Sequence, residues 1–290
     1  MNMFKKLGYF LELARPLHAI KSLIVFAPLF FTFEININLY LITLVAFILF
    51  YLASSTIYVF NDIIDLQKDR LHHLKMNRPI ASGRVTTKEA KYFLIILLIL
   101  TTFISFSFNK ELFFILLTYL FLNILYSLIL KKVFLVDIII IALGFILRLL
   151  AGAAVTDISL SPWIVVITFL LASLLAVSKR MDTENIASTD STSISKLYTQ
   201  KNIKVILLIL TISLIGVYIF FTLFSEIIIK HNILYLPINS IFVIFGVARY
   251  LYILSKKPIN YDPIAIFFSD YLLKIIFILW ILSFYVLSVI

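Results

Sequence analysis

Between Tyr58 and Lys91 lies the one stretch of this chain dense in groups that could do chemistry. It carries Asn61, Asp62, Asp65 and Asp69, followed at once by Arg70, His72, His73, Lys75, Arg78 and Arg84. Asn61, Asp65 and Asp69 are spaced i, i+4, i+8, so a helix would put them on one face, with Asp62 beside them. Hard oxygen donors, few in number, suit Mg²⁺ that is also held by substrate phosphates. A solvated helix end with acid–base pairs is the plainer alternative, but three acids at the end of an apolar span call for more than solubility. Arg70, Lys75, Arg78 and Arg84 have the chemistry of a phosphate clamp. Taken singly, each also fits a loop that is basic for topological reasons. Arg78-Pro79 followed by Ala81-Ser82-Gly83 predicts a shaped loop. His72 could hydrogen-bond a phosphate. His73, adjacent to it, points differently on a helix, so the two do not make a metal site.

Smaller groups lie elsewhere. Lys179-Arg180, with Asp182 and Glu184, follows an apolar run and is a candidate second half of the site. Arg15-Pro16 precedes Lys21, a cation inside an apolar run that is costly unless it snorkels or meets an anion. Asn123, Tyr126, Ser127 and Lys131 form another group, in which Lys131 also fits a topological role. Asp270 and Lys274, i and i+4 in the last apolar run, predict an intrahelical ion pair facing the interior. Arg148 and Arg249 are further charges within or at the edge of apolar runs, each marking an interior or a cavity.

The elements that must carry these groups are membrane spans. Hydrophobic residues make up 62% of the 290 and charged residues 14%, with a mean hydropathy of +1.09. A soluble domain is nearer half apolar and a quarter charged. Apolar segments fall at about 18–33, 39–60, 92–108, 112–130, 134–152, 161–178, 203–224, 233–254 and 265–289, each near the ~20 residues that a span needs. The first is short. Alternation of apolar and polar residues, the mark of a membrane barrel, is absent. The lack of cysteine excludes disulfides and thiolate chemistry. The first sixteen residues have no signal-peptide cleavage site. Most of the 25 Lys and Arg sit in the lead-in, the 61–91 loop, the 131–132 turn, the 179–204 loop and the 256–257 turn. That bias predicts a cytoplasmic N-terminus and places both long polar loops on the cytoplasmic face. Topology and anionic headgroups account for the net charge of +10 without nucleic acid. No soluble domain and no repeat is evident, so residues 1–290 read as a single all-α integral membrane domain.

At Asn61-x-x-x-Asp65-x-x-x-Asp69 the chain resembles the UbiA superfamily of intramembrane prenyltransferases. Within it, the run from Arg15 to Phe31 (RPLHAIKSLIVFAPLFF), the run from Asn61 to Gly83 (NDIIDLQKDRLHHLKMNRPIASG), NILYSLILK, Asp137, FILRLLAG, Lys179-Arg180 and the run from Phe245 to Tyr252 are similar to the decaprenyl-phosphate phosphoribosyltransferase branch. The chain departs from that branch at His18, Ala19, Ser22 and His73, and at Thr183, where the branch has an acid. The resemblance implies a bundle of nine transmembrane helices with a cytoplasm-facing cavity and Mg²⁺-bound diphosphate, in a bacterial-type inner membrane. Aromatic prenyltransferases of the superfamily carry a second DxxxD cluster. Here Asp182 is followed four residues on by Ile186, and a pair of cations stands nearby. A donor with more phosphate than one diphosphate, such as phosphoribosyl diphosphate, would fit.

The expected activity is therefore transfer of 5-phosphoribose to a polyprenyl phosphate. Asn61, Asp65 and Asp69, with Asp62, would hold Mg²⁺. Lys21, Arg70, His72, Lys75, Arg78, Tyr126, Lys131, Lys179 and Arg180 would contact substrate. Prenylation of an aromatic acceptor is the alternative within the superfamily. A transporter or lipid-binding membrane protein is the alternative of another class, disfavoured because transporter sites lie at midplane on helices broken by Gly or Pro. The sequence leaves the oligomeric state open.

Overall fold

The structure is a computed structural model and describes residues 3–73, 75–133, 135–182, 199–225, 235–256 and 262–289. Its elements are helices: α1 (Met3–Ala14), a 3₁₀ segment (Pro16–Phe26), α2 (Ala27–Phe31), α3 (Ile37–Ile64), α4 (Leu66–Leu71), α5 (Thr87–Phe108), α6 (Lys110–Leu128), α7 (Val136–Thr156), α8 (Pro162–Ser178), α9 (Gln200–Phe224), α10 (Ser240–Ser255), α11 (Pro263–Ser269) and α12 (Tyr271–Val289), with short 3₁₀ turns between some of them. Among the described residues, seven helices are long and apolar enough to cross a membrane. The number rises to nine if two bent pairs each count as one span. This is a multi-pass membrane protein.

The helix ends follow from local chemistry. Asn36 caps α3 by accepting from the Asn38 N–H at 2.9 Å. Thr86 and Glu89 form a reciprocal capping box at the start of α5. Asn109 caps α6 through the Leu112 N–H at 2.8 Å. With 28 residues, α3 is about 42 Å long, more than the ~30 Å of a hydrocarbon core, so its polar last turn is free to project beyond the apolar layer.

The short first span has its own solution. From Pro16 to Phe26 the backbone winds as a 3₁₀ helix for eleven residues, where runs beyond three or four are uncommon. A 3₁₀ helix rises about 2.0 Å per residue against about 1.5 Å, so residues 16–31 reach about 30 Å instead of about 24 Å. The segment meets α1 at 43°.

The chain forms two compact units, Met1–Leu130 with Leu147–Ser159, and Lys131–Ile146 with Leu160–Ile290. In the first, α3 is central: it packs on α1, the 3₁₀ segment, α5 and α6. Its core joins Val25, Leu49, Phe50, Ala53, Leu116, Tyr119 and Ala151. Arg148 is buried there, 4% exposed. Its Nη2 donates to Ser54 Oγ at 2.9 Å and to Tyr119 Oη at 3.2 Å, and its guanidinium lies 4.7 Å from the centre of the Phe50 ring. Of the two readings open for Arg148, interior or cavity, the structure has it packed in the interior.

In the second unit α8 packs on α9, and α10 packs on α9 and α12. A buried network links Tyr218, Asn239, Trp280 and Ser283. Tyr218 donates to Asn239, the indole of Trp280 donates to Tyr218 Oη at 2.7 Å, and Asn239 donates to Ser283 Oγ at 2.7 Å. The last span differs from expectation. It turns through 92° between α11 and α12, and Asp270 sits at the corner. Asp270 therefore caps α12, accepting from the Leu273 N–H at 2.8 Å, and takes two bonds from Arg249, at 2.7 and 3.3 Å. Lys274 donates to the Phe268 carbonyl instead. The expected Asp270–Lys274 pair requires an unbroken helix, which the corner removes.

Replacing Arg148 by Ala is expected to lower stability by about 3–5 kcal/mol, from lost packing and stranded polar partners. Arg148→Met, which keeps the volume, should cost less. Thermal unfolding of the detergent-solubilised variants measures both.

Candidate functional site

The Asn61–Asp69 stretch straddles a helix break. Asp65 caps α3 with φ −85° and ψ 8°. The hydrogen-bond ladder nevertheless runs across it, Asp65 N–H to Asn61 O at 2.8 Å and Asp69 N–H to Asp65 O at 2.9 Å. Asn61 and Asp65 are half-buried. The deeply buried pair is Asp62 and Asp69, each 3% exposed. Seven residues apart, they are within about 20° of two full turns, so they share a face. That spacing was legible, but the i, i+4, i+8 pattern drew attention to Asp65 and left Asp62 as a neighbour.

One guanidinium joins the two acids. Arg78 Nη1 donates to Asp69 Oδ2 at 2.6 Å and to Asp62 Oδ1 at 3.1 Å. Arg15 Nη2 donates to the same Asp62 oxygen at 2.5 Å. Arg15 also lies over the Tyr58 ring at 4.8 Å, and His18 meets that ring edge-on at 5.2 Å.

Local folding sets both arginines. The loop after Arg78 closes on itself: Ser82 donates to the Arg78 carbonyl through both N–H and Oγ, and the Val85 N–H donates to the Pro79 carbonyl at 2.9 Å. Gly83 has φ 77°, a conformation that an L side chain resists. Ile80 and Val85 then bury against Leu13, Val59, Ala90 and Leu97. Arg84, grouped with the clamp by sequence, ties this loop to α1 through two bonds to Glu12 at 2.8 and 2.9 Å. Arg15 follows α1 with φ 51° and ψ 64°, and the Ala14 carbonyl before it accepts from Ser55 Oγ at 2.9 Å.

The remaining candidates of this unit divide by exposure. Arg70 and Lys75 are exposed, and Lys21, His72 and Tyr126 are half-buried. His73 stacks on His72, with ring centres 5.2 Å apart and planes 11° off parallel, so the two imidazoles do not diverge as expected. Burial, then the positive charges of Lys75, His73 and Arg78, lower the His72 pKa below its ordinary 6.5, against the opposing pull of Asp69.

In the second unit the cation pair meets two acids. Arg180 Nη2 lies 2.5 Å from Asp137 Oδ2, with the acid side chain 2% exposed. Lys179 lies 3.5 Å from Asp262. Just before the pair, Ser178 and Tyr250 share a 2.6 Å hydrogen bond. Lys131 is half-buried. Asp182 ends the 3₁₀ turn that begins at Lys179, and Glu184 lies outside the described residues. Asp137 had a signal as a pairing partner, since an acid in the first turn of an apolar helix demands a cation. Asp262, before Pro263, reads in sequence as nothing more than a helix cap.

A family model described as the UbiA prenyltransferase family matches residues 22–286. The chain belongs to that family. Its likeness to decaprenyl-phosphate phosphoribosyltransferase of Mycolicibacterium smegmatis is 33% identity over 152 residues, 52% of this chain and 48% of that protein. To the Mycobacterium tuberculosis protein of the same name it is 29% over 151 residues, 52% of this chain and 50% of the other. The chain thus spans about half the length of these curated relatives. A solved UbiA homolog from Archaeoglobus fulgidus, bound to GPP and Mg²⁺, shares the fold at a TM-score of 0.71 and 18% identity, over 97% of this chain and all of that one. The structure of a digeranylgeranylglyceryl phosphate synthase aligns at a TM-score of 0.64 and 25% identity, over 98% of this chain and 99% of that one.

Two measurements follow from this geometry. Arg78→Ala would leave two buried carboxylates without their shared cation and should cost about 3–5 kcal/mol. That loss should appear as a lower unfolding temperature, and Arg78→Lys should recover only part of it. For His72, a folded pKa below 6.5 means that the folded state binds fewer protons than the unfolded one. Stability from this group is therefore complete above the ordinary value and lost as pH falls from there through the lowered folded pKa. His72→Gln should flatten the decline in Tm between about pH 7 and about pH 5.

Proposed function

We propose that this protein is a transferase that moves 5-phosphoribose from phosphoribosyl diphosphate to a polyprenyl phosphate. The observation that carries the proposal is the Asp62–Arg78–Asp69 array with exposed Arg70 and Lys75 beside it in sequence. Arg70 and Lys75 add the positive charge that a polyphosphate would need, and relatives at 29% and 33% identity bear the corresponding name.

In the reaction, an oxygen of the acceptor phosphate forms a bond to C1 of the ribose. The C1–O bond to diphosphate breaks, and diphosphate leaves with the electron pair. The acceptor phosphate is already ionised, so no general base is required. Negative charge builds on the leaving oxygen, and cations that meet it there stabilise the transition state more than the ground state. Arg70, Lys75 and Arg78, with neutral His72 as a hydrogen-bonding partner, would contact phosphate oxygens. Lys21, Tyr126, Lys131, Lys179 and Arg180 remain candidate substrate ligands.

Asn61, Asp62, Asp65 and Asp69 offer oxygen donors only. Among the described residues, no three acids or histidines converge as a ready-made cage. An ion there would therefore take at most one or two of these carboxylates, with waters and substrate phosphates completing its shell, as Mg²⁺ commonly does. Asp62 is engaged by two arginines. That makes Asn61, Asp65 and Asp69 the better ligands, with Asp62 orienting the array. Bound there, the ion would neutralise charge on the leaving diphosphate. Positive-inside logic puts this array on the cytoplasmic face, with a cytoplasmic N-terminus.

Transfer of a prenyl group from a prenyl diphosphate is the second reading, favoured by the GPP and Mg²⁺ named for the Archaeoglobus homolog. Purified protein with Mg²⁺, labelled phosphoribosyl diphosphate and polyprenyl phosphates of several lengths separates the two. Label should pass into the lipid phase, and Asp65→Asn should cut transfer at least a hundredfold. No labelled lipid at any chain length, with prenylation of an aromatic acid instead, would favour the second reading.

A further inference from the structure

Gly152 lies on α7 directly against the backbone of the first span. A Cβ built there would fall inside the van der Waals surface of the Val25 carbonyl oxygen, 2.9 Å from the Val25 carbonyl carbon and 3.2 Å from Pro28 Cδ. The obstacle is mostly backbone, which cannot swing aside as a flexible side chain can. Val25 is fully buried, and Ala151 beside Gly152 belongs to the same core. The contact falls where the 3₁₀ segment gives way to α2. The residue three beyond Val25 is Pro28, which has no N–H, so the next 3₁₀ bond in the series cannot form. The winding must change there, and the close approach to Gly152 is what packs that point.

The other end of the same segment is Arg15, bonded to Asp62. Between the ends lie His18, against Tyr58, and Lys21. An eleven-residue 3₁₀ helix is not held by its own hydrogen bonds better than an α-helix would be, so its length and register depend on what grips its ends. One grip is the Arg15–Asp62 bond, at the candidate site. The other is the glycine contact, at the far end.

We propose that Gly152 is a positioning residue: it sets the register of the 3₁₀ segment and so delivers Arg15, His18 and Lys21 to the phosphate-handling array. This rests on the phosphoribosyl-transfer proposal for its kinetic consequence, but not for its geometric one. Gly216 provides an internal control, because a Cβ there meets nothing within 4 Å.

Because the chain lacks cysteine, Leu17→Cys and Phe103→Cys give a clean pair of spin-label sites. They lie on the 3₁₀ segment and on α5, 75% and 72% exposed. Gly152→Ala should shift or broaden the distance between the labels, while Gly216→Ala leaves it unchanged. In the transfer assay, Gly152→Ala should raise KM for phosphoribosyl diphosphate at least tenfold with a smaller change in kcat, in protein that stays monodisperse. An unchanged label distance overturns the proposal, as does a shifted distance with unchanged KM. If the Gly152→Ala chain does not fold, Pro28→Ala loosens the same contact without adding an atom. It should move both readouts in the same directions to a lesser degree, and no change in either overturns the proposal. Should the unaltered protein transfer no phosphoribose, the proposed reaction fails, while the label distances still decide the geometric claim.

Discussion

A guanidinium shared between two buried carboxylates is the constraint on which the first unit depends. Asp62 and Asp69 are removed from water, and an isolated buried carboxylate is too costly to persist. Arg78 must therefore reach both, and Arg15 must reach one. The rest follows from those two demands. Arg78 comes within reach because the loop turns at Gly83 and seals itself with Ile80 and Val85. Arg15 comes within reach because α1 stops at Ala14 and the next residue takes a left-handed conformation that few non-glycine residues adopt. The array of two acids and two arginines is neutral as a set. Asp65, Arg70 and Lys75 lie outside this array, whereas Arg78 and Asp69 would have to meet a ligand while keeping their bond to each other.

The same economy of charge holds in the second unit, with different strength. Asp137 is almost wholly buried and holds Arg180 at hydrogen-bonding distance. Breaking that pair would strand an acid in a low dielectric. Lys179 is 61% exposed and 3.5 Å from Asp262, an arrangement worth about 0–1 kcal/mol when solvated. The two neighbouring cations are thus not equivalent. Arg180 is anchored, and Lys179 is loosely tethered on a flexible stem. A phosphate arriving at this end would draw Lys179 away at little cost, while Arg180 would have to serve from its fixed place.

Much of this was readable from residue types, and what escaped was missed for identifiable reasons. Span positions were legible because about twenty apolar residues have few other uses. The first span was legible as too short, but its 3₁₀ winding was not. Nothing in PLHAIKSLIVF forbids an α-helix after Pro16, so the longer form depends on what the segment packs against, α3 and the backbone at Gly152 included. The acids at 62, 65 and 69 were legible as a group. Which of them was buried depended on a guanidinium nine residues beyond Asp69, and hence on a loop closure that spacing rules do not encode. The corner at Asp270 was hidden for the converse reason. Aspartate and lysine four apart form a familiar helical pair, and the pattern says nothing about whether the helix is continuous.

The break at Asp65 shows why continuity matters to function. An unbroken α3 would present Asn61, Asp65 and Asp69 as a stripe on one rod, all at similar depth along a rigid surface. In the structure the helix ends at Asp65, yet the backbone bonds carry through, so Asp69 keeps its register in α4 and meets Arg78. Asp65 then stands at the junction between a long membrane helix and a helix of six residues. Asp62 and Asp69 on either side are buried against arginine, and Asp65 at the junction is half-buried and caps the longer helix with non-helical dihedrals. Of the three acids, Asp65 alone combines an accessible carboxylate with a backbone held from both directions, which is the combination that a preorganised ligand for a hard cation requires.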